Sequence, residues 1–272
     1  MTGVVHIQSA MKNGKTILKD SYCTQPFKLA NITEDKKDHW LHLMLMSSSP
    51  GILDNDQYKI NIDLEENCRV QLTTQSYQHI FQMKAGAKQE MQVILKRSSS
   101  FIFLPHPAVP HQSSIFSAKN KFYLSEDCLL IWGEVLSCGR KLNGEVFRLS
   151  KYHTVTEIFS SGKLVVKENL MLAPQYIDVN MIGQLEGYTH QASLICVGNV
   201  MPINTMIEEI HDLLKDEDDI CFGVSALPGN GMNVRILGHK AEQLFSIHHL
   251  IARHIISSQT RKQPIKTTAY VK

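Results

Sequence analysis

Apolar and polar residues alternate along most of the first 200 positions. Ile60, Ile62 and Leu64 fall on one side of a strand, with Asn61 and Asp63 on the other. Met91, Val93 and Leu95 repeat the pattern, as do Phe122 and Leu124, and then Leu129, Ile131 and Val135. Polar clusters separate these runs: Glu65-Glu66-Asn67, Lys96–Ser100, Ser125-Glu126-Asp127 and Ser160-Ser161-Gly162. Asn13-Gly14, between two apolar segments, is a two-residue hairpin signal. Strands spaced roughly every ten residues predict a mainly β body (α+β overall), β-helix-like or sandwich-like. Turn lengths vary, and no fixed repeat of residues is visible.

Near residue 203 the period changes. Ile203, Ile207, Ile210, Leu213 and Leu214 have helical spacing. Segments 220–226 and 233–237 read as a strand pair around Pro228-Gly229-Asn230-Gly231. Residues 240–256 read as a second helix, with Leu244, Ile247, Ile251 and Ile255 on one side. The expected organisation is a β-rich body over 1–202, a helix–strand–strand–helix unit over 203–256 packed on it, and a polar tail over 257–272.

Composition narrows the function classes. Of 272 residues, 43% are hydrophobic and 20% charged, which excludes wholesale disorder. Twenty-eight Lys and Arg against 26 Asp and Glu leave a net charge of +2, without the basic excess of a typical nucleic-acid binder. The N-terminus lacks the basic region and apolar core of a signal peptide, and no apolar run is long enough to span a membrane, so the expected location is the cytoplasm. Six scattered cysteines form no C-x-x-C pair and read as small buried hydrophobes.

Familiar catalytic motifs are missing. Gly14-Lys15-Thr16 imitates the end of a phosphate-binding loop, but Ser9 stands where that loop needs glycine. There is no G-x-S-x-G elbow and no G-x-G-x-x-G loop. His248, His249 and His254 on the second helix miss the ligand spacings i, i+3 and i, i+4; His106 and His111 share a proline-rich loop, and no stable metal site is predicted. Polar clusters do interrupt the strands: Asp54 and Asp56, Thr74-Gln75-Ser76, Gly133-Glu134, and Arg140 with Glu145. They fit turn chemistry and a charge-assisted Arg–Glu bond, or a polar site inside the β body. Paired carboxylates such as Glu134 and Glu145 keep a hydrolase or lyase open, and a metal-free binding module is a further possibility.

Several segments, in this order, resemble the UreD (UreH) family of urease accessory proteins. They are Pro26-Phe27-Lys28, Ser49–Asp56, Leu72–Ser76 with Ile80, Leu104–Pro107 with Ile115-Phe116, Gly139-Arg140 with Gly144-Glu145 and Phe147, and Glu168-Asn169-Leu170. Together they span about residues 22–172. The chain departs from the family pattern at Asn55, where glycine is usual, and at His106, where aspartate is frequent. Asparagine tolerates the left-handed backbone that such a turn requires.

The resemblance implies a non-enzymatic role, with no catalytic residues. A protein of this kind acts with a UreF-type accessory protein and a UreG-type GTPase, binds apo-urease, and helps deliver nickel through an internal polar passage. It implies a mainly β, β-helix-like fold with a smaller helical part. No cofactor is held tightly; Ni²⁺ is in transit, and transit needs weak oxygen donors rather than a tight Cys/His site. The residues expected to line or support the passage are Asp54, Asp56, Thr74, Gln75, Ser76, Glu134, Arg140, Glu145 and Glu168. The expected partner contacts are His106 and His111 in their loop, and Leu244 and Ile251 on the second helix.

Overall fold

The computed structural model describes residues 1–35, 38–198 and 202–261. In chain order the strands begin with β1 (Thr2–Lys12), β2 (Lys15–Cys23), β3 (Phe27–Asn31), β4 (Leu41–Ser47), β5 (Gln57–Leu64) and β6 (Arg69–Thr74). Then come β7 (Gln78–Ile80), β8 (Ala87–Leu95), β9 (Ser100–Phe103), β10 (Ala108–Pro110), β11 (Ile115–Leu124) and β12 (Leu129–Ser137). The last are β13 (Lys151–Ser160), β14 (Lys163–Leu172), β15 (His190–Gly198), β16 (Cys221–Leu227) and β17 (Gly231–Gly238). Two helices, α1 (Ile203–Leu214) and α2 (Ala241–Arg261), flank the last strand pair. The fold is mainly β, as the alternation predicts.

The strands form two sheets, and the chain passes back and forth between them. One sheet has seven strands in the order β14-β13-β11-β8-β5-β1-β2. The other has ten, with the path β16-β17-β15-β12-β9-β6-β4-β3 and β10 and β7 off that path. Along β1-β5-β8-β11-β13 all neighbours are parallel, and so are those along β4-β6-β9-β12. Parallel neighbours need a crossover; here the crossover is a strand of the opposite sheet, as in a β-solenoid. Antiparallel hairpins close both ends of the seven-stranded sheet.

The corners explain how the coil repeats without a repeated sequence. Asn67, Ser98 and Asp127 follow β5, β8 and β11, and all three take a left-handed backbone, φ 62°, 57° and 57°. The corners stack: the Asn67 amide donates to the Arg97 carbonyl at 3.0 Å, and the Ser98 amide to that of Glu126 at 3.0 Å. At the predicted hairpin, Asn13 and Gly14 both have positive φ, as a tight two-residue turn requires.

Three apolar clusters hold the molecule together. Two lie between the sheets, one around Phe101, Phe122 and Leu95, the other around Tyr58, Phe116 and Tyr152. The third lies on the outer face of the ten-stranded sheet, where Ile131, Val135 and Leu194 meet Ile210 of α1 and Leu244, Ile247, Ile251 and Ile255 of α2. The helix–strand–strand–helix order is present, but β17 pairs with β15, so the unit continues the large sheet. The second helix extends to Arg261, beyond the expected end at 256; residues 262–272 of the expected tail lie outside the described residues.

The expected partner contacts Leu244 and Ile251 require correction. Both are 0% exposed. Their helical stripe is covered by the chain's own sheet, so neither presents surface to another molecule.

Candidate functional site

Strand β12 faces two ways. Ile131, Gly133 and Val135 point to the helices; Trp132, Glu134 and Leu136 point between the sheets. A cavity of about 170 Å³ opens there. Phe103, Phe116, Trp132 and Tyr152 form apolar walls, and Gln89 and Glu134 lie among them. Thr74, Gln75, Ser76, Tyr77, Gln78, His79 and His106 also line it, on the segments that follow β6 and β9.

Glu134 is set deep among protein atoms, yet it keeps some accessible surface because that surface faces the cavity. Burial, reinforced by the nearby charge of Glu168, pushes its acid up to about 8, against a hydrogen bond to Thr154. At neutral pH the uncharged acid is therefore the dominant form. Burial also raises the Tyr152 hydroxyl well above its usual range, and Glu134 adds to the effect.

Beyond Glu134 the polar layer continues toward the edge of the molecule. Glu134 pairs in register with Ser193, and Ser193 with Arg235. The Ser193 hydroxyl lies 3.1 Å from both Glu168 oxygens and 3.4 Å from Asn233 Oδ1. Arg235 donates to Glu168 Oε1 at 3.2 Å. These contacts tie β14 of one sheet to β15 and β17 of the other. With adjacent strands ~4.8 Å apart, the layer from β6 to β17 spans about 20 Å.

The other end is framed by aromatic and histidine side chains. The Thr74 hydroxyl accepts from the His106 amide at 2.9 Å and lies 3.0 Å from His106 Nδ1, to which it can donate. The His106 ring stacks on Phe245 of α2, with centroids 4.6 Å apart. Burial lowers the His106 pKa, with Glu242 opposing. Tyr77 donates to Glu242 at 2.6 Å, which ties the segment after β6 to the start of α2. His79 Nδ1 sits 3.3 Å from Nε2 of the buried His111, whose pKa falls chiefly through burial and then through Arg140.

Of the residues named from sequence, Thr74, Gln75, Ser76, Glu134 and His106 come together around the cavity, and Glu168 lies beside Glu134. The rest sit elsewhere. Asp56 is 4% exposed and accepts from the Leu53 amide (2.8 Å), the Tyr58 hydroxyl (2.7 Å) and the Met1 amino group (2.9 Å). Burial would raise its pKa, but these donors outweigh it and the net shift is downward. Asp54 accepts from the Ala85 and Gly86 amides at 2.9 and 2.8 Å, and the intervening Asn55 has φ 65°. This segment is a hydrogen-bonded corner, and Asn55 supplies the left-handed turn. Arg140 and Glu145 form a two-pronged ion pair, and Glu145 also accepts from the Gln112 amide at 3.2 Å. That pair clips two loops together. The carboxylate that Glu134 feels is Glu168, not Glu145.

Sequence reasoning missed Thr154, Ser193 and Arg235. Thr154 carried a signal: it shares the inward face of β13 with Tyr152 and Ile158, where an apolar residue is the norm. Ser193 stands on a strand buried on both faces, so its side could not be read from alternation. Arg235 looks like an ordinary outward position between Val234 and Ile236.

The chain matches the family model described as UreD urease accessory protein over residues 1–268. A urease accessory protein UreD from Flavobacterium johnsoniae is 48% identical over 256 residues, 94% of this chain and 92% of that protein. One from Acetivibrio thermocellus is 34% identical, covering 91% and 94%. One from Actinobacillus pleuropneumoniae serotype 3 is 32% identical, covering 88% and 90%.

Proposed function

The chain belongs to the UreD family of urease accessory proteins, and on that premise we propose that it delivers nickel to apo-urease through the polar layer between its sheets. In this reading it is a non-enzymatic cytoplasmic scaffold. It joins a UreF-type accessory protein, and through it a UreG-type GTPase, to apo-urease.

One observation carries the passage: Glu134 stands on a cavity between the two sheets, with Glu168 beyond it. The donors suit a cargo that must leave again. Carboxylates, hydroxyls and amides hold a divalent cation less tightly than a Cys/His cluster does. An empty passage keeps Glu134 protonated, which avoids the cost of a buried charge. An arriving Ni²⁺ takes the place of that proton, so entry releases a proton and is favoured as pH rises toward 8; the proton returns when the cation leaves.

The test is co-expression of urease with its cognate accessory proteins at limiting nickel, with Glu134→Ala in this chain. The expected result is nickel-poor urease with strongly reduced activity, while the variant still co-purifies with its partners. Full nickel loading by a folded Glu134→Ala variant would remove the passage.

A further inference from the structure

Glu168 and Arg235 make an unequal pair. The Glu168 side chain is 12% exposed and that of Arg235 61%. The acid is fixed: the Ser193 hydroxyl bonds to both of its oxygens. The base is attached through one guanidinium nitrogen at 3.2 Å and reaches solvent. Glu168 is thus held in place without Arg235, and Arg235 is free to leave it.

There is room for it to leave. Arg235 sits directly across the β16–β17 ladder from Gly223, so the two share one face. A side chain begun at Gly223 would meet no atom within 4 Å. Gly223 has no positive φ that would call for glycine, so local backbone geometry gives no reason for glycine there. Its effect is open space on the face of the sheet that it shares with Arg235.

We infer that Arg235 is the displaceable counter-charge of the passage: its guanidinium occupies Glu168 between transits, and a divalent cation moving on from Glu134 exchanges places with it over Gly223. This rests on the passage proposed above. The exchange gives the weak hold that transit needs. An arriving dication must displace Arg235 from Glu168, and the returning guanidinium competes the cation off. The end of the layer is never an unpaired carboxylate that would keep the metal.

The experiment is titration of the full-length chain with Ni²⁺, competed against a chromophoric chelator, for wild type, Arg235→Gln, Arg235→Lys, Glu134→Gln and Glu168→Gln. Arg235→Gln is expected to bind Ni²⁺ about fivefold tighter, the upper end of what an exposed ion pair is worth. Arg235→Lys should return close to wild type, which a loss of structure at position 235 would not explain. Gly223→Val fills the space and should slow nickel loading of urease with little change in thermal stability, because a β-branched residue suits a strand. If Arg235→Gln binds like wild type while Glu134→Gln and Glu168→Gln weaken binding, the passage stands and the counter-charge falls. If the two carboxylate variants also bind like wild type, both fall.

Discussion

The two faces of the ten-stranded sheet are built from the same strands and do opposite things. On the outer face, Ile131, Val135, Leu194 and Val234 meet two helices in a cluster of apolar side chains. On the inner face, β12 and β15 carry Glu134 and Ser193 into the space between the sheets. The outer face spends its side chains on stability. The inner face accepts a carboxyl group whose acid form burial favours. The second sheet shields this carboxyl group from bulk solvent, and the helices cover the opposite face of its strand.

The largest expected effect therefore comes from the outer face. Leu244→Ala removes a fully buried side chain and should cost about 3 kcal/mol in denaturant unfolding, within the usual range for such truncations. Its effect on nickel loading should track the fraction folded. Gly133→Ala is the next test, at the joint of the two faces. A Cβ there would stand 2.7 Å from Leu104 Cδ2 and 2.8 Å from Nδ1 of the buried His248. That overpacking should cost about 2 kcal/mol. It should also disturb nickel loading beyond its effect on stability, since Glu134 is the next residue.

Glu134 itself offers the sharpest contrast with the outer face. Unfolded, a glutamate loses its proton near 4.5; folded, Glu134 keeps it to about 8. Between those values the native state holds a proton that the unfolded state has lost. Stability contributed by the protonated acid is thus complete below about 4.5 and declines as pH rises toward 8. Glu134→Gln abolishes that decline. Its melting temperature should match wild type near pH ~4.5 and exceed it by about 5 °C near pH ~8.5. Nickel loading should nevertheless be lost. A variant that is more stable yet inactive in delivery would separate the inner face from the outer one.

Much of this contrast was legible in the residues, and its limits have physical reasons. Alternation along β5, β8 and β11 identified strands because one side of each faces the other sheet. The left-handed corners at Asn67 and Asp127 were visible as turn residues. Alternation alone predicts a β-helix-like or sandwich-like body without choosing between them, because what repeats in the coil is a backbone conformation about every thirty positions, not a residue type. Glu134 stands out as a polar interruption of a strand and Glu168 through a family motif, but their partners Ser193 and Arg235 lie on strands where a polar residue looks unremarkable. The apolar stripe of α2 indicated a buried face without saying what buries it. Read as partner contacts, Leu244 and Ile251 are covered instead by the chain's own sheet.

The smallest effect is expected at Arg140, and it is informative for that reason. Arg140 and Glu145 have the same residue types as Arg235 and Glu168, and both acids are mostly shielded, at 13% and 12% exposure. They differ in what lies behind the acid. Behind Glu168 is Glu134 and the cavity; Glu145 instead accepts from the Gln112 amide and joins two loops. Arg140→Gln removes an exposed ion pair, of a kind that contributes little to stability, so the melting temperature should change by no more than its scatter. Nickel affinity and urease loading should match wild type, in contrast to Arg235→Gln. A change in nickel affinity on losing Arg140 would mean that any arginine near this fold's carboxylates tunes the cation, and the special position of the inner face would have to be given up.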